Sequence, residues 1–148
     1  MASLNPLRRW QRRLLYSTVW ALLASGIGWL ALHYFLGAGA DQLPQPGEPW
    51  LMRLHGLAGF SALFAAGILA AAHVPQGWRM NPLAGRVRGQ SGSQRVMGIA
   101  LILLGAACMA SAYVLYYFAP EDIRALIGWA HAIAGVSLAL LLPLHGWR

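Results

Sequence analysis

Four long apolar runs constrain this chain more than any other feature: Leu14–Leu36, Leu51–His73, Val96–Phe118 and Ile123–Leu144. Each supplies the ~20 residues that a helix needs to cross the ~30 Å hydrocarbon layer of a bilayer. Inside that layer the backbone finds no water to bond to. Only helices and closed barrels cross it, and runs of this length are not barrel strands. The third run, VMGIALILLGAACMASAYVLYYF, is the clearest, and the second carries only His55 as a sizeable polar side chain before His73. Charged residues make up 10% of the chain, against about 25% in soluble domains, which is too few to cover a water-facing surface. The expectation is one all-α membrane domain over residues 1–148, an up-down-up-down four-helix bundle in contact with membrane lipid.

The charges set the orientation. Arg8, Arg9, Arg12 and Arg13 precede the first run, Arg79, Arg86, Arg88 and Arg95 lie between the second and third, and Arg148 follows the fourth. Only Arg53 and Arg124 fall on the opposite side, together with all four acids, Asp41, Glu48, Glu121 and Asp122. Arginines gathered on one side mark the cytoplasmic face, so both termini are expected inside. This distribution also explains the net charge of +7 without a nucleic-acid partner. The first run is longer than the 7–15 apolar residues of a signal peptide and reads as a retained span. Gly26, Gly28, Gly98, Gly105, Ala106 and Ala110 suit close helix packing. Trp50, Trp78, Trp129, Trp147, Tyr113, Tyr116 and Tyr117 suit an interfacial aromatic belt.

The second and fourth runs repeat one another. HGLAGFSALFAAGILAAAHVPQGWR begins at His55 and passes His73 and Arg79, while HAIAGVSLALLLPLHGWR begins at His131 and passes His145 to Arg148. At about 100° per residue, His55 and His73 share one helix face, and His131 and His145 lie about 40° apart. Gly59 and Gly135 each follow a histidine by one helical turn, and Ala62 and Ala66 lie within about 20° of the His55 stripe. Spans two and four run in the same direction, so their histidines can pair start with start and end with end. Imidazole nitrogens beside small side chains suit a flat, bulky iron ligand, and bundle interiors build such sites from facing helices. The expectation is haem b ligated by His55 with His131 near the outer surface, and by His73 with His145 near the inner one. Cys108 is the only cysteine and no C-x-x-C-H attachment exists, so such a haem would be non-covalent. The two spacings differ in rise by about one turn, which Pro75 and Pro143 can absorb by bending or ending the helices.

These residues, with RLHGLAG, AAHVPQGWR, YVLYYF and LHGWR, resemble the small bacterial four-helix membrane cytochromes b. Those proteins are relatives of the ascorbate-type and bacterial di-haem cytochromes. The resemblance covers nearly the whole chain, from Ser25 to Arg148. It implies that His55, His73, His131 and His145 are axial ligands of one or two haems b. It also implies a bacterial inner-membrane location and electron transfer across that bilayer with a quinone or a redox partner protein, as a subunit rather than a stand-alone enzyme. The x17 spacing of the second span is longer than the x13 of the larger respiratory cytochromes b.

His33, in H-Y-F at the outer end of the first span, reads best as an interfacial histidine. Its alternatives are a further ligand, a haem-propionate partner or part of a quinone pocket. Arg79 and Arg148 suit propionate pairing and cytoplasmic retention equally. Two other functions fit parts of the pattern: a haem-free scaffold or accessory subunit of a larger complex, and a metal transporter using His33, His55 and His131. No carboxylate falls within the four runs, which weighs against ion coupling. No nucleotide loop, cysteine cluster or Ser-His-Asp arrangement is present.

Overall fold

The computed structural model describes residues 8–36, 45–79 and 91–146, with side chains described over 8–36, 45–71 and 96–145. The elements among these described residues are four α-helices: α1 (Arg9–Phe35), α2 (Glu48–Arg79), α3 (Ser91–Tyr117) and α4 (Glu121–Gly146). The four-helix, all-α class read from the sequence holds. Arg9–Phe35, Glu48–Ala71, Val96–Tyr117 and Glu121–His145 are each long and apolar enough to cross a bilayer, so the chain is a multi-pass membrane protein. Leu57, Phe60, Phe64, Leu103, Ile133 and Leu140 are all exposed on their hairpins. A water-facing surface would not carry so many large apolar groups, whereas lipid accepts them.

The helices extend beyond the apolar runs, mostly at their N-terminal ends. Glu48, Glu121 and Asp122, expected in outer loops, instead occupy first helical turns. Acidic side chains are stabilised there by the positive end of the helix dipole, and Pro49 and Pro120 suit entry positions whose N–H has no helical partner. Neither internal proline ends its helix: α2 runs through Pro75 to Arg79, and α4 runs through Pro143 to Gly146.

α1 and α2 form one compact hairpin, and α3 and α4 form another. In the first, the helices are antiparallel. Gln11, Leu14 and Leu15 of α1 line one crevice with Ala65, Ile68 and Leu69 of α2, while His33 meets Glu48 at the other end. Apart from Glu48, the buried residues described on this hairpin are small: Thr18 and Ser25 on α1, and Ala58 and Ala65 on α2. Each pair is spaced by two helical turns, a stripe that lets two helices approach closely. Gly28 lies against Leu51, where an added Cβ would be 3.4 Å from both Leu51 methyls.

The second hairpin is also antiparallel, with Gly105 against Leu138 and Gly98 against His145. Ala106 and Ala110, expected to pack between helices, are instead exposed. A three-residue link closes it. Phe118 and Ala119 donate their N–H groups to the Val114 carbonyl at 2.9 and 2.8 Å. The Arg124 guanidinium donates to the Leu115 and Ala119 carbonyls at 3.1 and 2.8 Å, satisfying acceptors that the end of α3 leaves open. This cap gives Arg124, one of the two arginines expected on the outer side, a structural task. The other, Arg53, lies 4.8 Å over the Trp50 ring.

Candidate cofactor-binding histidines

The second helix of each hairpin presents a half-buried histidine to the first. His55 stands seven residues beyond the start of α2 and His131 ten beyond the start of α4, about 10 and 15 Å along their axes. His55 Nδ1 lies 2.9 Å from Ser25 Oγ on α1, and His131 Nδ1 lies 2.9 Å from Ser111 Oγ on α3. Both serines are bonded back to their own helices. Ser25 Oγ lies 2.6 Å from the Ala21 carbonyl and 3.1 Å from that of Leu22. Ser111 Oγ lies 2.7 Å from the Ala107 carbonyl and 3.1 Å from that of Cys108. The two constructions are the same to within about a tenth of an ångström.

Their surroundings are shaped by glycine. A Cβ at Gly26 would lie 3.3 Å from His55 Cε1 and 3.6 Å from Nδ1. One residue of α1 therefore bonds the ring and the next makes space for it. Gly59 and Gly135 have a different role: an added Cβ at either would meet no heavy atom within 4 Å. One turn beyond each histidine the backbone is thus open to close approach.

The remaining expected site residues divide three ways. His145 is half-buried in the last turn of α4, where a Cβ on Gly98 would lie 3.6 Å from its Cε1. The side chains of His73 and Arg79, and all of Arg148, lie outside the described residues. His33 has a partner that the sequence reading did not foresee. Its Nδ1 is 3.1 Å from Glu48 Oε2, its ring stacks on Trp29 at 4.5 Å, and Tyr34 meets it edge-on at 4.8 Å. Glu48 is 5% exposed. Its other carboxylate oxygen accepts the Gln45 N–H at 3.1 Å, and Gln45 Nε2 reaches the Leu36 carbonyl at 3.1 Å. Gly47 completes the junction, because a Cβ there would fall 2.9 Å from Leu32 Cδ1. His33 therefore helps to close the first hairpin, and it is engaged with a different partner from His55. No group of three His, Cys, Asp or Glu side chains suited to a bare metal ion occurs among the described residues.

Ser25 and Ser111 escaped the sequence reading. Their signal was present as the other half of the repeat: ALLAS (Ala21–Ser25) matches ACMAS (Ala107–Ser111) in the pattern A-x-x-A-S. Each hairpin thus reads A-x-x-A-S on its first helix and H-x-x-A-G on its second. The short carbonyl contacts also show what these serines are not. A hydroxyl that gives its proton to its own helix is not the activated nucleophile of a serine hydrolase.

No family model, curated protein or solved structure matches the chain. The class defined by the fold is a multi-pass membrane protein of two helical hairpins, each with a serine-anchored histidine.

Proposed function

We propose that the chain is a membrane cytochrome of the b type, passing single electrons across a bacterial inner membrane with both termini inside. His55 and His131 would hold one haem b non-covalently near the outer surface, and His73 and His145 would hold a second near the cytoplasmic surface. The observation that carries this reading is the duplication. Two hairpins repeat an anchored imidazole at similar depth, and each leaves the backbone open one turn away, at Gly59 and Gly135.

The donor set fits the group. Neutral imidazole is an established axial ligand of haem iron, and iron alternating between its ferric and ferrous states supplies the electron step. The chain's own contribution is ligation, orientation and a water-poor apolar setting. The exposed apolar flanks of the hairpins keep the histidines among lipid or protein rather than water. An ionisable side chain at such depth is costly and marks function more often than decoration. A lipid-soluble quinone or a redox partner protein would exchange electrons at either surface.

Haem content of variants tests the assignment. His55→Ala and His131→Ala should each lose the outer haem, whereas His33→Ala should retain the wild-type content. Equal haem in all three variants would refute ligation by His55 and His131.

A further inference from the structure

A serine hydroxyl carries one proton, and a carbonyl oxygen can only accept. The Ser25 oxygen sits 2.6 Å from the Ala21 carbonyl, so its proton lies on that contact. Its 2.9 Å contact with His55 Nδ1 then needs a proton from the ring. The reverse arrangement, with the hydroxyl donating to Nδ1, would hold two oxygen lone pairs against each other at 2.6 Å. The same reasoning applies to Ser111, 2.7 Å from the Ala107 carbonyl and 2.9 Å from His131 Nδ1.

We infer that Ser25 and Ser111 are positioning residues that hold His55 and His131 in the Nδ1–H form, so that each neutral ring carries its lone pair on Nε2. In water the neutral imidazole of histidine favours the opposite form, with the proton on Nε2. The serines thus select the tautomer that offers Nε2 to a metal before any metal arrives. They also fix the ring plane through a hydrogen bond whose far end is tied to the helix backbone. A hydrogen bond at the second ring nitrogen makes the ligating nitrogen more basic, and loss of such a partner typically weakens metal binding 10- to 100-fold. The tautomer stands on the hydrogen-bond geometry alone, while its use for iron rests on the function proposed above.

The experiment is imidazole ¹⁵N–¹H NMR of the haem-free full chain in detergent micelles, with ring signals assigned through His55→Gln and His131→Gln. His55 and His131 should show the proton on Nδ1. Ser25→Ala should move His55 towards the Nε2–H form and leave His131 unchanged, and Ser111→Ala should do the converse. Ser111→Thr keeps the hydroxyl at a half-buried position and should restore the wild-type signal. Nε2–H rings in the wild type, or rings indifferent to both alanine variants, would overturn the inference.

In haem-loaded protein, Ser111→Ala should lower the preference for ferric over ferrous iron about tenfold, a rise of about 59 mV in midpoint potential. An unchanged potential would overturn the tuning role. Nδ1–H rings in a protein that takes up no haem would uphold the tautomer and remove the cytochrome reading, so the two failures are distinguishable.

Discussion

The two hairpins are built alike where they hold histidine and differently where they turn. α1–α2 closes through a Pro-rich link, with a buried carboxylate, Glu48, drawing His33 and the Gln45 backbone together. α3–α4 closes through three residues, with a guanidinium, Arg124, capping the end of α3. One hairpin uses an anion at a helix start and the other a cation over a helix end, and both satisfy backbone groups that helix termini leave open. His follows Ser by 30 positions of sequence in one and by 20 in the other, yet the Ser–His contact is 2.9 Å in both. Closing a hairpin admits several chemistries. The serine-anchored histidine recurs unchanged, which marks it as the part with a task of its own.

The largest effect expected from separating these parts concerns Gly59 and Gly135. Replacement by Leu meets no protein atom at Cβ and leaves the hairpins folded, but it fills the space beside each histidine. Haem content should fall by half or more, read by pyridine haemochrome against circular dichroism of the same sample. Gly59→Ala sharpens the contrast. A haem-free scaffold should gain ~0.5–1 kcal/mol from replacing a helical glycine, whereas a cytochrome should lose haem affinity.

The next effect is on folding alone. Glu48→Ala strips His33 and the Gln45 N–H of a buried acceptor, at a cost of ~1–3 kcal/mol. Arg124→Ala, at an exposed turn, should cost ~1 kcal/mol. Reversible unfolding in mixed micelles would show both losses, with haem content per folded chain unchanged. If either substitution abolished haem binding at full helicity, the division between closing devices and site would fail.

The smallest effect is local to the first hairpin. Gly26→Ala places a Cβ 3.3 Å from His55 Cε1, so the ring must move by a few tenths of an ångström. A shift of the haem signals by electron paramagnetic resonance, without haem loss, is the expected outcome. Gly105→Ala, whose Cβ would meet Leu138 at 3.6 Å, should change nothing in that spectrum.

The helices were legible because a bilayer imposes a length and an apolar composition, and both are written in the sequence. Their N-terminal ends were less so. An apolar run stops at a charge, whereas helices continue through Glu48, Glu121 and Asp122, which favour first turns. The histidines were legible through their spacing and their unusual setting. Their serine partners were not, because a serine in an apolar span reads as a small packing residue until the facing helix is placed. Glu48 was hidden for a related reason: in sequence it belongs to a loop, and only the packing of α2 on α1 buries it and brings it to His33. The second arm of the repeat, A-x-x-A-S, was present throughout, but it became informative only once the hairpins paired it with H-x-x-A-G.

The central claim is that anchored histidines in two hairpins hold haem iron. The most direct measurement is the dithionite-reduced minus oxidised absorbance spectrum of protein purified in mild detergent from cells with adequate haem supply, with haem quantified per chain. A sharp reduced α-band with one or two haems per chain is the expected result, two if both histidine pairs are filled and one if only the outer pair is. A colourless, folded protein would contradict it.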